Sequence, residues 1–153
     1  MALTSGASLV EFDSNIIVIT DPANASDPGF TVVGDCTNDL TPADKVKLAD
    51  AMLDITLSVA ATAGDAVHLY RRDLNLLGST DDANFPSANF KNIYIGSFPL
   101  DLVATRQFIL LPDIPISPDQ QFAIEYNLTA ASGTQTNSTV VTVRPQAYNV
   151  KAQ

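Results

Sequence analysis

Leu53-Asp54-Ile55-Thr56-Leu57-Ser58-Val59 is the stretch that decides the fold class. Four aliphatic residues alternate with three polar ones, and a strand, whose side chains point alternately to its two sides, sends Leu53, Ile55, Leu57 and Val59 to one face. A strand with one side on a core is predicted there. Segments of the same kind follow down the chain, cut at short intervals by Gly, Pro, Asn and Asp. Ala66 to Leu77 opens as a strand, but its apolar positions change phase from Val67 and Leu69 to Leu74 and Leu76, which predicts a β-bulge or bend around Arg71 to Leu74. Further strands are predicted at Asn92 to Phe98, Arg106 to Leu111, Gln121 to Asn127 and Thr139 to Arg144. Their inward faces are assigned to Phe108 with Leu110, Phe122 with Ile124 and Tyr126, and Val141 with Val143. Short strands separated by such turns make an all-β sandwich or barrel of about eight strands.

The connections carry their own signals. Pro112 to Pro118 holds three prolines, which withhold backbone donors and discourage unwanted strand pairing. Gly78 to Asn89 is polar and turn-rich, a surface loop that delivers Phe85 and the adjoining Phe90 to the rim of the sandwich or to a partner. Ala130 to Thr139, small and hydroxyl-bearing, forms a hairpin loop. Residues 1 to about 40 differ from the rest: Ile16 to Thr20 is a strand candidate, followed by Asp21, Pro22, Asn24, Asp27, Pro28 and Gly29, then Phe30 to Val33. They read as an extended arm adding a peripheral strand or two to a sandwich domain of residues 41–153. At its start, Thr41, Pro42 and Asp44 have the order of an N-cap, an N1 proline and an acidic first turn, with Val46, Ala49 and Leu53 on one helical face. One short helix of one or two turns is predicted there.

Composition narrows the function classes. At 153 residues with 46% hydrophobic and 16% charged side chains, the chain fits one globular domain with a core that needs no metal or disulfide. Seventeen acidic side chains against eight basic ones give a net charge of −9, which repels a phosphate backbone, so no nucleic-acid partner is expected. No apolar run approaches the length that spans a bilayer, so no membrane partner is expected either. The lone Cys36 has no intrachain disulfide partner, and Met1 to Val10 lacks the pattern of a secretion signal, which fits synthesis in a reducing cytoplasm.

Catalytic equipment is sparse. His68 is the only histidine, it falls mid-strand, and no G-x-S-x-G elbow accompanies it, so it reads as an ordinary strand residue. Cys36 follows Gly34 and Asp35, without the cationic neighbours that make a thiolate reactive. One His and one Cys make no zinc site. Asp21, Asp27, Asp81 and Asp82 lack the spacing of a calcium loop and read as turn residues. Phosphate-binding glycine loops are absent from the sequence. No catalytic residue, cofactor or metal ligand is assigned. Arg71 and Arg72 beside Asp73 form the densest charge cluster, and Arg suits a bidentate contact across an interface. With Ile16, Ile17 and Phe30 of the arm and the loop aromatics Phe85 and Phe90, they are the candidate partner-binding residues.

Val67-His68-Leu69-Tyr70, Asn92-Ile93-Tyr94-Ile95-Gly96-Ser97-Phe98, Gln107-Phe108-Ile109-Leu110-Leu111 with Ile114-Pro115-Ile116-Ser117-Pro118, and Phe122-Ala123-Ile124-Glu125-Tyr126-Asn127 follow in an order that resembles a family of small virion proteins of tailed bacteriophages. The resemblance runs from about Leu53 to Pro145. It departs from the family's pattern after Arg72, where Asp73-Leu74-Asn75-Leu76-Leu77-Gly78 stands in place of the usual loop motif. It implies a single jelly-roll-like antiparallel β-sandwich that decorates or cements a capsid shell, with no catalytic residues. The expected partners are then the major capsid protein and further copies of the chain, a trimer ahead of a dimer, on the capsid surface of a virion made in a bacterial cytoplasm. The alternative is a carbohydrate-binding or adhesin-type β-sandwich, free or in a phage tail; the absence of Trp counts against it.

Overall fold

The computed structural model describes residues 9–12, 17–21, 30–31, 48–73, 93–116, 120–129 and 139–149. They form nine strands: β1 (Leu9–Phe12), β2 (Ile17–Asp21), β3 (Phe30–Thr31), β4 (Leu48–Ile55), β5 (Ala66–Asp73), β6 (Ile93–Pro99), β7 (Gln107–Pro115), β8 (Gln120–Asn127) and β9 (Thr139–Asn149). No helix occurs among the described residues. The strands make two antiparallel sheets. In the first, β1 and β2 lie end to end against β9, which pairs with β4, which pairs with β7; in the second the order is β3-β8-β5-β6.

Five of these pairings nest inside one another. β5 pairs β6, β4 pairs β7, β3 pairs β8, and β1 and β2 pair β9, as in one long ribbon doubled back on itself. Two further pairings, β4 with β9 and β5 with β8, curl that ribbon into two sheets. Their inner faces close a single core in a β-sandwich-like architecture. Ile19, Leu53, Ile55, Val141 and Val143 come from the first sheet and Val67, Leu69, Phe98, Phe122 and Ile124 from the second, all fully buried. Phe122, Ile124, Tyr126, Val141 and Val143 thus face inward as their alternation predicts.

Three sequence expectations change. First, Ala49 and Leu53 lie in a strand, not on a helix: Ala49, Ala51, Leu53 and Ile55 are buried while Asp50, Met52 and Asp54 face away. Period two therefore begins four residues before Leu53, and pairing on both sides of β4 overrides the helical preference of alanine. Thr41, Pro42, Asp44 and Val46 lie outside the described residues. The strand also stops earlier than its alternation, at Ile55; Leu57 is buried beyond it, but Val59 is half exposed.

Second, β7 continues through Pro112 to Pro115. As the edge of its sheet among the described strands it tolerates a proline. Between Ala49 and Ala51 of β4 the ladder steps from Ile114 to Leu111, so β7 carries one extra residue, with Asp113 in the left-handed region at φ 54°. The Asp113 N–H donates to Asp50 Oδ1 at 3.1 Å, which satisfies the group the bulge removes from the ladder.

Third, the inward residues of β7 are Ile109 and Leu111, and Phe108 and Leu110 point out. Phe108-Ile109-Leu110-Leu111 is apolar at every position, so the strand's own pattern does not choose between its faces. The bulge opposite Leu69 and Tyr70 belongs to β6, which advances from Gly96 to Tyr94 there, whereas β5 stays in register with β8 as far as Asp73. Leu74 and Leu76 lie outside the described residues. At Gly96 the sheets approach so closely that a Cβ would stand 2.7 Å from a Leu111 methyl, so glycine lets Leu111 seat.

Candidate functional site

Three surfaces carry unusual groupings of side chains. The first is the outer face of the β2-β9-β4-β7 sheet. Cross-strand register puts Val18, Thr142, Met52 and Leu110 in one row, and Thr20, Val140, Asp54 and Phe108 in the next. Val18 is 50% exposed, Met52 41%, Phe108 59% and Leu110 60%, so this is a contiguous apolar surface left to solvent. Charges flank it. Arg106 grips Asp54 with Nε donating at 2.8 Å and Nη2 at 2.5 Å, and its guanidinium lies 4.8 Å from the centre of the Phe108 ring. The Arg106 hydrogen bonds hold the Asp54 carboxyl below its ordinary range, and Asp54 raises Arg106 in turn. On the other side of the row Asp50 stands opposite Arg144 and accepts from the Gln146 amide at 2.6 Å.

The second surface is the end of the sandwich from which the β4–β5 and β6–β7 connections emerge. Asp65 is buried, and its carboxylate accepts from Thr62 N at 2.7 Å, Thr62 Oγ1 at 3.1 Å and Thr129 N at 2.9 Å. Its backbone carbonyl accepts from Leu100 N at 3.0 Å, so one residue ties three connections together. Gly64, at φ 96°, supplies the backbone conformation that the Thr62 to Asp65 turn requires. Gln107 frames the next loop: its amide nitrogen donates to the carbonyls of Asp101 and Val103, and its oxygen accepts from Asp101 N at 2.8 Å. On these frames Val59, Leu102 and Val103 project outward, with Leu102 61% exposed.

The third surface is the outer face of the second sheet. Ser97, His68 and Glu125 form one cross-strand row. His68 Nδ1 lies 3.1 Å from Ser97 Oγ, and Tyr70 donates to Glu125 at 2.8 Å. His68, Tyr70 and Tyr94 meet edge to face, with centroids 5.6 to 6.4 Å apart. Burial first, and then the bond to Glu125, push the Tyr70 hydroxyl up to about 12. The three rings thus pack against one another on this face.

Of the residues singled out from sequence, Arg71 is mostly buried and reaches across to the first sheet, Nη1 donating to the Pro115 carbonyl at 3.1 Å. Its Nε lies 3.8 Å from Asp73. Arg72 occupies β5 opposite Gln121, Ile17 occupies β2 opposite Val143, and Phe30 occupies β3 opposite Glu125; their side chains lie outside the described part. Ile16, Phe85, Phe90 and Cys36 lie outside the described residues. Of the exposed apolar residues, Val18, Met52, Leu102 and Val103 are passed over in the sequence reading, and Phe108 and Leu110 are assigned by it to the inward face. For β7 the signal was legible: four successive apolar residues in a strand that buries one face must leave part of them outside. Among the described residues no group of three or more His, Cys, Asp or Glu side chains is placed to hold a metal ion.

No protein-family model, no curated protein and no solved structure matches the chain.

Proposed function

We propose that this chain is a non-enzymatic virion structural protein, a jelly-roll β-sandwich that binds an assembled capsid shell as a decoration or cement protein and stabilises it. The major capsid protein is its partner on this reading, and the virion surface its location. Two features support the jelly roll: the nested strand pairings, and their closure by β4 with β9 and β5 with β8, which is how a doubled ribbon wraps into two sheets. The sequence resemblance adds the capsid as partner.

The observation that carries the reading is the end of the sandwich. Leu102 and Val103 are held outward by a loop whose backbone is bonded to the buried Gln107, and Val59 projects from the connection fixed by Asp65. Apolar side chains on a pre-shaped loop lose little freedom on docking, which favours burial against another protein. The absence of an enzymatic role is argued from the Ser97-His68-Glu125 row. It has the residue types of a hydrolytic triad, but it lies on the outer face of a sheet and its carboxylate is engaged by Tyr70.

The test is the copy number of this polypeptide in purified phage particles, by quantitative peptide mass spectrometry against the major capsid protein. A simple ratio to the capsid subunit supports shell decoration; a few copies per particle move the protein to the tail or neck, and absence overturns the reading. Leu102→Glu is expected to abolish binding to empty shells while leaving the thermal melt unchanged. A second reading, glycan binding, is favoured by one feature: the half-exposed Tyr94 ring beside His68. Glycan-array signal lost in Tyr94→Ala would favour it over the shell.

A further inference from the structure

We infer that the outer face of the first sheet is a contact between two copies of this chain, packed face to face about a two-fold axis parallel to the strands. The inference goes beyond the shell-binding reading and uses a different surface. The face has four columns, β2, β9, β4 and β7, so a two-fold between β9 and β4 lays each copy's β4 on the other's β9 and its β7 on the other's β2. The row Val18, Thr142, Met52, Leu110 then meets its own reverse: Leu110 lies over Val18 of the second copy and Met52 over Thr142. The next row brings Phe108 over Thr20. On the other side Asp50 lies over Arg144, and by symmetry Arg144 over Asp50.

Every contact so generated occurs twice, and each is apolar on apolar, apolar on threonine, or opposite in charge, except Val140 over Asp54, whose carboxylate is already held by its own Arg106. Turning the axis by a right angle, along the row, would lay Asp50 over Asp54 of the other copy, like on like. The orientation is therefore chosen by charge. The choice of a second copy over a foreign partner rests on the same pattern. The chain carries a net charge of −9, yet on this face Arg106 is bonded to Asp54 and Arg144 stands opposite Asp50 in the ladder, so that with Asp113 beside Asp50 the face is far closer to balance than the chain as a whole, and two acidic molecules meet here with little local repulsion. A strongly basic partner would find little excess of acid to bind.

The test places cysteines at Val18 and Leu110 in a Cys36→Ser background. Within one chain these positions are three strand spacings apart, about 14 Å, whereas across the two-fold they face each other over the spacing of two packed sheets, about 10 Å, with their sulfurs pointing at one another. That gap is too wide for a disulfide but within reach of a short bismaleimide. The cross-linked double variant is expected to run as a covalent dimer on a denaturing gel, and each single variant as a monomer. In parallel, the wild-type chain is expected to sediment as a dimer across the micromolar range, and Leu110→Glu as a monomer with an unchanged circular dichroism spectrum and a melt that no longer depends on concentration. A monomeric wild type, an assembly whose mass Leu110→Glu does not reduce, or single cysteines that cross-link as fully as the pair would each overturn the inference. None of these outcomes depends on the capsid, so this contact and the shell reading fail separately.

Discussion

The outer faces of the two sheets differ in what they leave unfinished. On the second sheet His68, Tyr70, Tyr94, Ser97 and Glu125 answer one another, ring edge to ring face and hydroxyl to carboxylate, and Tyr70 and Ala123 are buried although they face away from the core. On the first sheet the row from Val18 to Leu110 shows solvent an apolar surface that no described side chain covers, apart from Arg106 over Phe108. A satisfied polar cluster contributes to the stability of the monomer; a bare apolar row contributes nothing until something covers it. The difference separates residues that hold this fold from residues available for assembly.

The sharpest test of that separation uses two neighbours on one strand. In the Leu110→Glu background, where the second copy is absent, Leu53→Ala, in the core, is expected to cost about 2–5 kcal/mol in urea unfolding, whereas Met52→Ala, on the bare face, should shift it by no more than about 0.5 kcal/mol. Comparable losses would mean that the outer row is part of the monomer's packing. Asp65→Ala comes next, at about 3 kcal/mol, because it strips the buried partner from the backbone N–H groups of Thr62 and Thr129 and loosens the two connections they belong to. An unchanged melt would show that the apolar loop end is not framed by this carboxylate.

Tyr70→Phe, on the satisfied face, is expected to cost about 2 kcal/mol at neutral pH, since it removes a hydrogen bond to a carboxylate. It also has a pH signature. The hydroxyl ionises near 10 in the unfolded chain and about 12 in the fold, so the unfolded state loses its proton first and stability falls as pH rises from 10 towards 12. Tyr70→Phe should make that alkaline decline shallower; equal slopes would remove Tyr70 from the account. The smallest effect belongs to Asp54 and Arg106. With its folded value held below 3.8, Asp54 contributes stability above about pH 4 that is lost as pH falls through the folded value. Asp54→Asn should flatten the acid limb of the stability profile, and high salt should reduce the difference, since the Arg106 side chain is largely exposed.

Much of the architecture was legible in the sequence where a strand has one wet face. Phe122, Ile124 and Tyr126, or Val141 and Val143, alternate with residues that tolerate water, and their inward direction follows from period two. Legibility failed where local pattern was ambiguous. Leu48 to Ile55 contains two alanines, one on either side of Asp50, and carries helical propensity, yet β7 and β9 flank it and make it a strand. Phe108 to Leu111 is apolar throughout, so which pair of side chains enters the core depended on the bulge at Asp113 and on Gln107, whose amide is needed to close the loop before it. The outer row was legible only in its β7 part, where four successive apolar residues must leave some outside; its other members are scattered over β2, β4 and β9 and meet only through register.

What the sequence by itself determined is therefore the class of the fold: short alternating segments bounded by turn residues, which bury one face each and must pair into sheets. What only the tertiary structure decided is which strand lies beside which, and so which apolar residues are used up in the core and which remain outside. The physical reason is one of range. Alternation and turn propensity act between residues a few positions apart, whereas register joins Val18 to Thr142 across most of the chain and Met52 to Leu110 across more than a third of it, and a surface built from such pairs exists only after the ribbon has closed.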